Sequence, residues 1–358
     1  PMPHHLLLTR PLALDDDTLG RRSPAAGPRH SLALMASQLG ASLHTADEQQ
    51  APQPGLGDRL MGRVLASPAL WASTRALAAR LGPDDTIYCG SEVPGFHLAA
   101  RLPARPAGPR LTVFVHNIDR PRTRALLRLA NLRSRVGRFL ACAQPQVDFL
   151  HSIGVERDRA VFVWDHTDTL FFTPGPASEL KRRPCIMSVG LEQRDYRNLA
   201  HATHDLDLDV RISGFSRDAQ AIARSFPEEL PVNMTRQFYS WPDLRQLYRD
   251  ADVVVVSLFE NRYAAGVQGL MEAMACGRPV VVTSTVGLER YIHPDAALSV
   301  PTGDPLALRN AIQHLLDHPD EAAAMGARGR ELALQRHSME RYVQTLVDDA
   351  RGASLKPA

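Results

Sequence analysis

The segment Asp252–Thr283 is the feature that most constrains how this chain can fold. Asp252–Ser257 contains four consecutive valines, and β-branched residues in such a run are typical of a strand buried on both faces. Pro279–Thr283 is a second valine-rich strand, and the apolar spacing between the two predicts a helix over Gly266–Ala275. A strand, a helix and another strand in succession predict a right-handed crossover and parallel pairing.

The same alternation runs through the whole chain and predicts an α/β fold with parallel sheets. The predicted strands are His5–Thr9, Thr86–Tyr88, Leu111–Val115, Phe139–Ala141, Ala160–Val163, Cys185–Val189, Asp209–Ser213, Val232–Met234, Asp252–Ser257, Pro279–Thr283 and Ala297–Val300. The predicted helices are His30–Leu39, Gly57–Leu81, Tyr196–His204, Asp218–Ser225, Leu244–Asp250, Gly266–Ala275, Pro305–Leu316 and Pro319–Leu334.

The length of 358 residues accommodates two domains of ordinary size. Phe171–Pro184 combines proline, glycine and polar residues without a hydrophobic period, so we interpret it as a linker. We therefore expect an N-terminal domain over residues 1–174, a second domain over 175–336, and a C-terminal helix within 337–358 that packs back toward the first domain. Domain interfaces and the carboxyl ends of parallel strands are where such folds bind ligands.

Composition excludes several classes of protein. The chain is 44% hydrophobic and 22% charged, as globular domains are, and it has no apolar run of transmembrane length. The N-terminal stretch lacks a basic region and a cleavage site, so we interpret it as a first strand rather than a signal peptide. The four cysteines lie far apart, so we expect neither a disulfide framework nor a metal site, and a cytoplasmic location.

The start of the helix over Gly266–Ala275 has the features of an anion site. A helix N-terminus leaves backbone N–H groups free and carries partial positive charge. The small residues Ala264, Ala265 and Gly266 would let a phosphate approach those groups, and Glu272 could accept hydrogen bonds from ribose hydroxyls. A tight strand–helix turn with a solvated glutamate is the alternative that spacing alone leaves open.

The stretch "GLMEAMACGRPVVVT" resembles the donor-site helix of family-4-like bacterial glycosyltransferases of the GT-B fold. Weaker resemblances follow the same order along nearly the whole chain: "DDTIYCGSEVPGFHLA", "VFVHNID", "VWDHTDTLFFTP" and "IMSVGLEQRDYRNLAHA". The resemblance implies two Rossmann-like domains whose parallel sheets face a central cleft, with the acceptor bound by the first domain and the nucleotide sugar by the second.

The resemblance also implies roles for individual residues. Gly190 would begin the loop that approaches the donor diphosphate, Arg194 would supply a cation to it, and Gly214 would let the chain pass close to the nucleotide. The amides of Ala265, Gly266 and Val267 would bind the diphosphate, and Glu272 the ribose. The catalytic candidates are His116, which would orient the transferred sugar, Glu92 on the acceptor side, and Arg194.

This sequence departs from the family pattern near the donor site. The family usually has a second glutamate eight residues before the Glu272 position, where this chain has Ala264. Glu260, four residues before Ala264, and Asn261 are the two candidates to replace it. Leu191 stands where an arginine is usual, and no Gly-Gly loop occurs near the N-terminus. These departures put the identity of the donor in question more than the fold.

The resemblance implies transfer of a sugar from a nucleotide diphosphate, UDP- or GDP-linked, to an acceptor hydroxyl, with retention and without a metal or cofactor. The acceptor would be a saccharide, a lipid-linked molecule or a small molecule, in surface polysaccharide or glycolipid assembly or in natural-product glycosylation. Two alternatives remain open: another GT-B enzyme such as an epimerase or phosphorylase, and a catalytically silent binding subunit.

The basic segment Arg120–Leu140 concentrates the charge of the first half of the chain. It holds seven arginines, and residues up to 175 have a net charge of +5 against −3 for the rest. Read as one helix, it would place Arg124, Arg128, Arg135 and Arg138 on one face. Such a helix favours peripheral contact with the inner face of a membrane. A core-packed helix with a solvated basic face and attraction of an anionic acceptor are the alternatives; nucleic acid is not expected, because no aromatic residues interleave.

Overall fold

The computed structural model describes residues 2–20, 26–45, 53–59, 68–129, 131–214 and 222–355. The chain forms two compact units, which are described separately here. Unit 1 comprises Pro1–Leu19, His30–Val163 and Val343–Ala358, and unit 2 comprises Gly20–Arg29 and Trp164–Tyr342. The predicted domain boundaries after residues 174 and 336, with the roles assigned to those domains, stay predictions.

Unit 1 is built around a parallel sheet of six strands in the order β2-β1-β3-β4-β5-β6. The strands are β1 (His4–Leu8), β2 (Ser42–Thr45), β3 (Thr86–Cys89), β4 (Arg110–Val115), β5 (Arg138–Ala141) and β6 (Ala160–Phe162). Its helices include α1 (Ser31–Leu39), α2 (Pro68–Ala78), α3 (Glu92–Ala99), α4 (Pro121–Leu129) and α5 (Gln144–Ser152).

Unit 2 contains a second parallel sheet of six strands, in the order β12-β11-β10-β7-β8-β9. The strands are β7 (Cys185–Val189), β8 (Asp209–Ser213), β9 (Met234–Gln237), β10 (Val253–Val256), β11 (Val280–Thr283) and β12 (Leu298–Val300). The helices that follow β6 along the chain are α6 (Tyr196–Thr203), α7 (Trp241–Asp250), α8 (Val267–Ala275), α9 (Pro305–Asp317), α10 (Pro319–Arg336) and α11 (Met339–Ala350).

The valine run at β10 lies at the centre of the second sheet, between β7 and β11, and each valine is at most 1% exposed. A strand covered on both faces requires such a continuous apolar run. Side-chain caps fix where neighbouring helices begin: Asp195 accepts from the Asn198 amide at 3.0 Å, and Asp304 accepts from the Ala307 amide at 2.9 Å. These bonds satisfy N–H groups that the helices leave without intrahelical acceptors.

Most predicted elements are present, with boundaries shifted by one or two residues, and the α/β prediction is confirmed. The strand predicted at Val232–Met234 lies instead at Met234–Gln237, and β2, whose sequence SLHT has no β-branched run, was not predicted. The predicted helices Gly57–Leu81 and Asp218–Ser225 extend into residues outside the described part of the chain; residues 222–225 are not helical.

The prediction of a single helix over Arg120–Leu140 is wrong. Helix α4 ends at Leu129, a 3₁₀ turn covers Leu132–Ser134, and β5 begins at Arg138. Phe139 and Leu140 are fully buried because β5 pairs with both β4 and β6. Sheet pairing therefore overrides the helical spacing of the arginines, and the shared arginine face on which the membrane contact was argued does not form.

The C-terminal residues of α11 belong to unit 1. Asp349, 4% exposed, accepts a hydrogen bond from Thr112 Oγ1 at 2.7 Å and pairs with Arg138. Arg110 Nη2 donates to the Asp349 carbonyl oxygen at 2.8 Å, near the end of the helix where carbonyl groups lack intrahelical donors. No helix in the described part of the chain is both long and apolar enough to cross a membrane.

The segment interpreted as a linker, Phe171–Pro184, contains no regular helix or strand. Its first two residues are nevertheless buried, at 1% and 2% exposure, and their rings pack edge to face at a centroid distance of 5.0 Å. Phe172 also packs against Tyr248 of α7. The start of this segment is thus part of the core of unit 2.

Candidate functional site

The strand order of the second sheet reverses between β7 and β10. These strands are neighbours in space, yet the chain leaves β7 toward β8 on one side and leaves β10 toward β11 on the other. The loops at the carboxyl ends of two such strands diverge and leave a crevice, where open α/β sheets bind their ligands. The stretches that follow β7 and β10 are the two that the sequence singled out.

The two loops are joined by backbone hydrogen bonds. The Asp195 amide donates to the Ser257 carbonyl at 3.0 Å, and the Phe259 amide donates to the Gln193 carbonyl at 2.9 Å. Gly190 directly follows β7 with φ +97°, a conformation that side chains other than hydrogen rarely tolerate. The geometry of this loop is therefore held from both sides before any ligand binds.

Arg194 is almost completely buried, at 5% exposure. Its Nε donates to the Val189 carbonyl at 2.7 Å and its Nη1 to the Glu192 carbonyl at 3.0 Å. Nη2 lies between two glycines: a Cβ on Gly190 would be 2.7 Å from it and a Cβ on Gly269 would be 3.8 Å from it. The backbone thus fixes a guanidinium at the crevice, where it can bind phosphate oxygens.

Helix α8 begins at the crevice with Gly266 as its N-cap residue, at φ +90°. A Cβ there would lie 2.9 Å from Val256 Cγ1, so only glycine fits without displacement. The predicted amides of Ala265 and Val267 have acceptors within the loop, at Tyr263 and Ala264 respectively. In the described part of the chain no acceptor is found for the amides of Gly266, Gln268 and Gly269, so these are the donors available to an anion.

Glu272, predicted to bind ribose, lies six residues after Gly266 and is partly buried. Its Oε2 accepts a hydrogen bond from the Tyr248 hydroxyl at 2.7 Å. Burial raises the pKa of Glu272 to about 7, although the Tyr248 hydrogen bond and the charge of Arg194 both lower it. The sequence analysis missed Tyr248; an apolar period places it on the buried face of α7, but nothing in that period indicates its partner.

The remaining predicted residues of unit 2 have protein partners. Gly214 follows β8, and its carbonyl accepts from Arg236 Nη2 at 2.9 Å. Asn261 is 7% exposed, and its side chain donates to the Phe259 carbonyl at 3.0 Å. Glu260 is exposed and accepts from the Val286 amide at 3.2 Å. The Asn261 side chain therefore stabilises its own loop, and the Glu260 carboxylate already accepts one hydrogen bond from the protein.

The catalytic candidates of unit 1 form a pair at the carboxyl edge of the first sheet. Glu92 is the first residue of α3, and His116 directly follows β4. Glu92 accepts from His116 Nδ1 at 3.1 Å and from the backbone amides of His116 and Asn117, at 3.2 and 3.3 Å. Burial by itself would raise the pKa of Glu92, but the hydrogen bonds and charge of His116 hold it below its usual value.

The His116 side chain is 52% exposed, and its Nδ1 is engaged by Glu92. An exposed imidazole at this edge of the sheet can contact a substrate hydroxyl. Glu92 orients this ring and its loop. No group of three or more His, Cys, Asp or Glu side chains in the described ranges is arranged to hold a metal ion.

Comparisons with known proteins show which families and structures the chain is similar to. Residues 194–348 match the model of a family described as glycosyl transferase-like, a span that covers less than half of the chain. The D-inositol 3-phosphate glycosyltransferase of Salinispora tropica is 36% identical over 108 residues, which are 30% of this chain and 21% of that protein. The chain thus matches over about a fifth of the length of this curated relative.

Two solved structures resemble the chain over nearly its whole length. Sucrose-phosphate synthase from Thermosynechococcus elongatus has a TM-score of 0.71 at 18% identity and covers 98% of both chains. Anabaena HepE, in complex with UDP and glucose, has a TM-score of 0.68 at 16% identity and covers 98% of this chain and 100% of its own. At such identities the likeness concerns the fold, and the predicted two-domain Rossmann-like architecture is confirmed; membership of the family-4-like group stays a prediction.

Proposed function

We propose that this chain, which has the GT-B fold and a glycosyl transferase-like sequence over residues 194–348, transfers a sugar from a nucleotide diphosphate sugar to an acceptor hydroxyl. The observation that carries the proposal is the crevice of unit 2. There a buried guanidinium, the free amides of a helix start and a carboxylate lie at the switch point of one sheet. A diphosphate and its ribose need these three kinds of group.

In the proposed binding mode Arg194 and the amides of Gly266, Gln268 and Gly269 bind the diphosphate. The unoccupied acceptor capacity of Glu272 binds the ribose. Gly190 and Gly266 have no side chains, so the backbone can approach the phosphates closely on either side. We propose a UDP- or GDP-sugar as donor, and the UDP found with the structurally similar HepE supports the first of these.

Transfer breaks the bond between the anomeric carbon and the diphosphate oxygen and forms a bond from that carbon to the acceptor oxygen, whose proton passes to the leaving diphosphate. The leaving diphosphate gains negative charge as its bond breaks. Arg194 and the α8 amides are fixed before the reaction, so they stabilise this charge without reorganisation. We propose that these groups make a metal ion unnecessary, and that the anomeric configuration is retained, as the resemblance implies.

On the acceptor side we propose that the exposed side chain of His116 contacts a sugar hydroxyl while Glu92 holds the imidazole in place. The acceptor is proposed to be a saccharide, a lipid-linked molecule or a small molecule, in polysaccharide, glycolipid or natural-product assembly. The short helix α4 leaves Arg124 and Arg128 exposed close after His116 in the chain, which favours an acceptor that carries negative charge.

A thermal-shift panel of UDP-, GDP-, TDP- and CMP-sugars tests the proposal. We expect stabilisation by one nucleotide class and slow release of free nucleotide when acceptors are added. Glu272→Ala should lose most of the shift, whereas Glu331→Ala, which removes an exposed carboxylate of α10, should keep it. Absence of a shift with every nucleotide and nucleotide sugar would refute the proposal.

Ala264 favours one second candidate, a silent subunit that binds nucleotide sugar without turning it over. The family glutamate at this position contacts the donor sugar, and neither Glu260 nor Asn261 is fully available to replace it. Under this reading the shift appears but no nucleotide is released with any acceptor. Release of nucleotide by wild type, lost in Arg194→Ala, would exclude the silent subunit.

A further inference from the structure

A buried hydrogen bond links the proposed ribose-binding carboxylate to the neighbouring helix. The Tyr248 hydroxyl lies 2.7 Å from Glu272 Oε2. Tyr248 is fully buried, and its ring packs edge to face on Phe172 with centroids 5.8 Å apart and an interplanar angle of 87°. A ring enclosed in this way cannot rotate its hydroxyl toward solvent, so Glu272 is the partner that satisfies it.

The bond uses only part of the carboxylate. An ionised glutamate has about four acceptor sites on its two oxygens, and Tyr248 occupies one of them. Within the described residues no hydrogen bond is found to Glu272 Oε1. Tyr248 therefore selects which oxygen faces the protein and leaves the other for a ligand.

The charged and titratable groups that face Glu272 are few. Tyr248 approaches from α7 and Arg194 from the loop after β7. Cys276, one turn further along α8, stays neutral because burial raises the pKa of its thiol to about 12. Burial opposes ionisation of Glu272, while the Tyr248 hydroxyl and Arg194 favour it, so the carboxylate changes charge near neutral pH.

We propose that Tyr248 is a positioning residue of the donor site, which holds Glu272 in the rotamer and the ionised state that accept two ribose hydroxyls. This inference rests on the proposed function. A protonated Glu272 bonded to Tyr248 has fewer acceptor sites for a diol, so nucleotide affinity falls as pH falls through the carboxylate's titration. Tyr248 acts through Glu272 and does not touch the reacting atoms, so the Michaelis constant for the donor changes while kcat does not.

The test measures UDP affinity by calorimetry between about pH 5.5 and about pH 8.5 on the full chain, with GDP in parallel. Wild type should bind about tenfold more tightly at the upper end than at the lower end. Tyr248→Phe should weaken binding at neutral pH about three- to tenfold and move the midpoint upward, because one group that favours the ionised form is gone. Its kcat with saturating donor should stay within about twofold of wild type.

Two variants separate this role from simple loss of a buried hydroxyl. Glu272→Gln does not titrate, so the pH dependence that remains in it is that of the nucleotide's own phosphate, and it should not change when Tyr248→Phe is added. Tyr291→Phe removes another buried hydroxyl of unit 2, which accepts from the Asp165 amide at 3.0 Å, and should keep the wild-type midpoint. A Tyr248→Phe midpoint equal to that of wild type overturns the inference, whether its affinity is unchanged or uniformly lower.

The same inference has a readout that needs no ligand. Urea unfolding across this pH range isolates the titration of Glu272 when each protein is compared with the same protein carrying Glu272→Gln. A shift of its midpoint in Tyr248→Phe supports the inference, and an unchanged midpoint overturns it. Failure of wild type to bind UDP, GDP or any nucleotide sugar refutes the proposed function instead, and the unfolding titration still decides whether Tyr248 controls Glu272.

Discussion

Glu92 of unit 1 and Glu272 of unit 2 are helix glutamates in similar parallel sheets, yet their environments shift their pKa values in opposite directions. Burial raises the pKa in both cases. Glu92 begins its helix and accepts hydrogen bonds from His116 Nδ1 and from the amides of His116 and Asn117, so its pKa is lowered. Glu272 accepts from Tyr248, and its pKa rises to about 7.

The difference shows how the number of protein donors separates two roles. The carboxylate of Glu92 accepts its hydrogen bonds from a histidine and from the loop that carries it, which suits a group that orients a neighbouring side chain. The carboxylate of Glu272 keeps unused acceptor sites in a partly desolvated position, which suits a group that binds a ligand. Four predictions test this contrast.

The largest expected effect belongs to the cation beside Glu272. Arg194→Ala should reduce turnover about 10²- to 10³-fold, because a preorganised charge that stabilises the leaving diphosphate is lost. Steady-state kinetics would measure it, with Arg197→Ala as a control that removes an exposed arginine on the same stretch. Wild-type turnover in a folded Arg194→Ala protein would remove Arg194 from the mechanism.

His116→Ala should reduce turnover about 10- to 100-fold while UDP affinity and unfolding free energy hardly change. The reason is that the side chain is half exposed and belongs to unit 1, not to the proposed nucleotide site. Parallel kinetics and calorimetry would separate the two quantities, and His201→Ala, at an exposed position of unit 2, is the control. A loss of UDP affinity equal to the loss of turnover would contradict the division of roles between the two glutamate regions.

Gly266→Ala should lower the unfolding free energy by about 1–3 kcal/mol, through backbone strain and a clash with Val256. Gly303→Ala is a matched control, since Gly303 also has positive φ, +68°, but has nothing within 4 Å of its would-be Cβ. Urea denaturation of both variants isolates the packing part of the cost. Equal losses would mean that close packing at the α8 start contributes nothing beyond backbone conformation.

The smallest expected effects are pH dependences on the order of 1 kcal/mol with opposite signs. Because its folded pKa is raised, Glu272 stabilises the fold fully below about pH 4.5 and loses this contribution as pH rises toward about 7. Glu92, whose folded pKa is lowered, contributes at neutral pH and loses its contribution as pH falls below its unfolded value.

Unfolding free energies of Glu272→Gln and Glu92→Gln, each compared with wild type, would measure these dependences. The unfolding free energy of wild type should fall relative to that of Glu272→Gln as pH rises from about 4.5 to about 7. The unfolding free energy of wild type should fall relative to that of Glu92→Gln as pH falls below about 4.5. Two differences with the same sign would contradict the contrast between the glutamates.

The two parallel sheets, most helices and the start of α8 could be predicted from the sequence. Valine runs, glycine at Gly266 and the spacing to Glu272 are local signals, and local signals survive folding when they agree with the sheet. The prediction of one helix over Arg120–Leu140 is wrong because its arginines follow a helical period, whereas Phe139 and Leu140 pair with neighbouring strands of the sheet. Helical periodicity does not include the free energy gained when two residues of a strand are buried. It therefore cannot show that sheet pairing is preferred to a helix with an exposed arginine face.

The contacts between polar side chains could not be predicted and are seen only in the folded structure. Tyr248 and Glu272 are separated by 24 positions and lie on different helices, and the same separation divides Glu92 from His116. Each pair forms because the packing of elements, not their sequence, sets which polar groups share a buried space. The sequence indicated the two glutamates; the opposite shifts of their pKa values depend on donors that reach them only once the sheets are assembled.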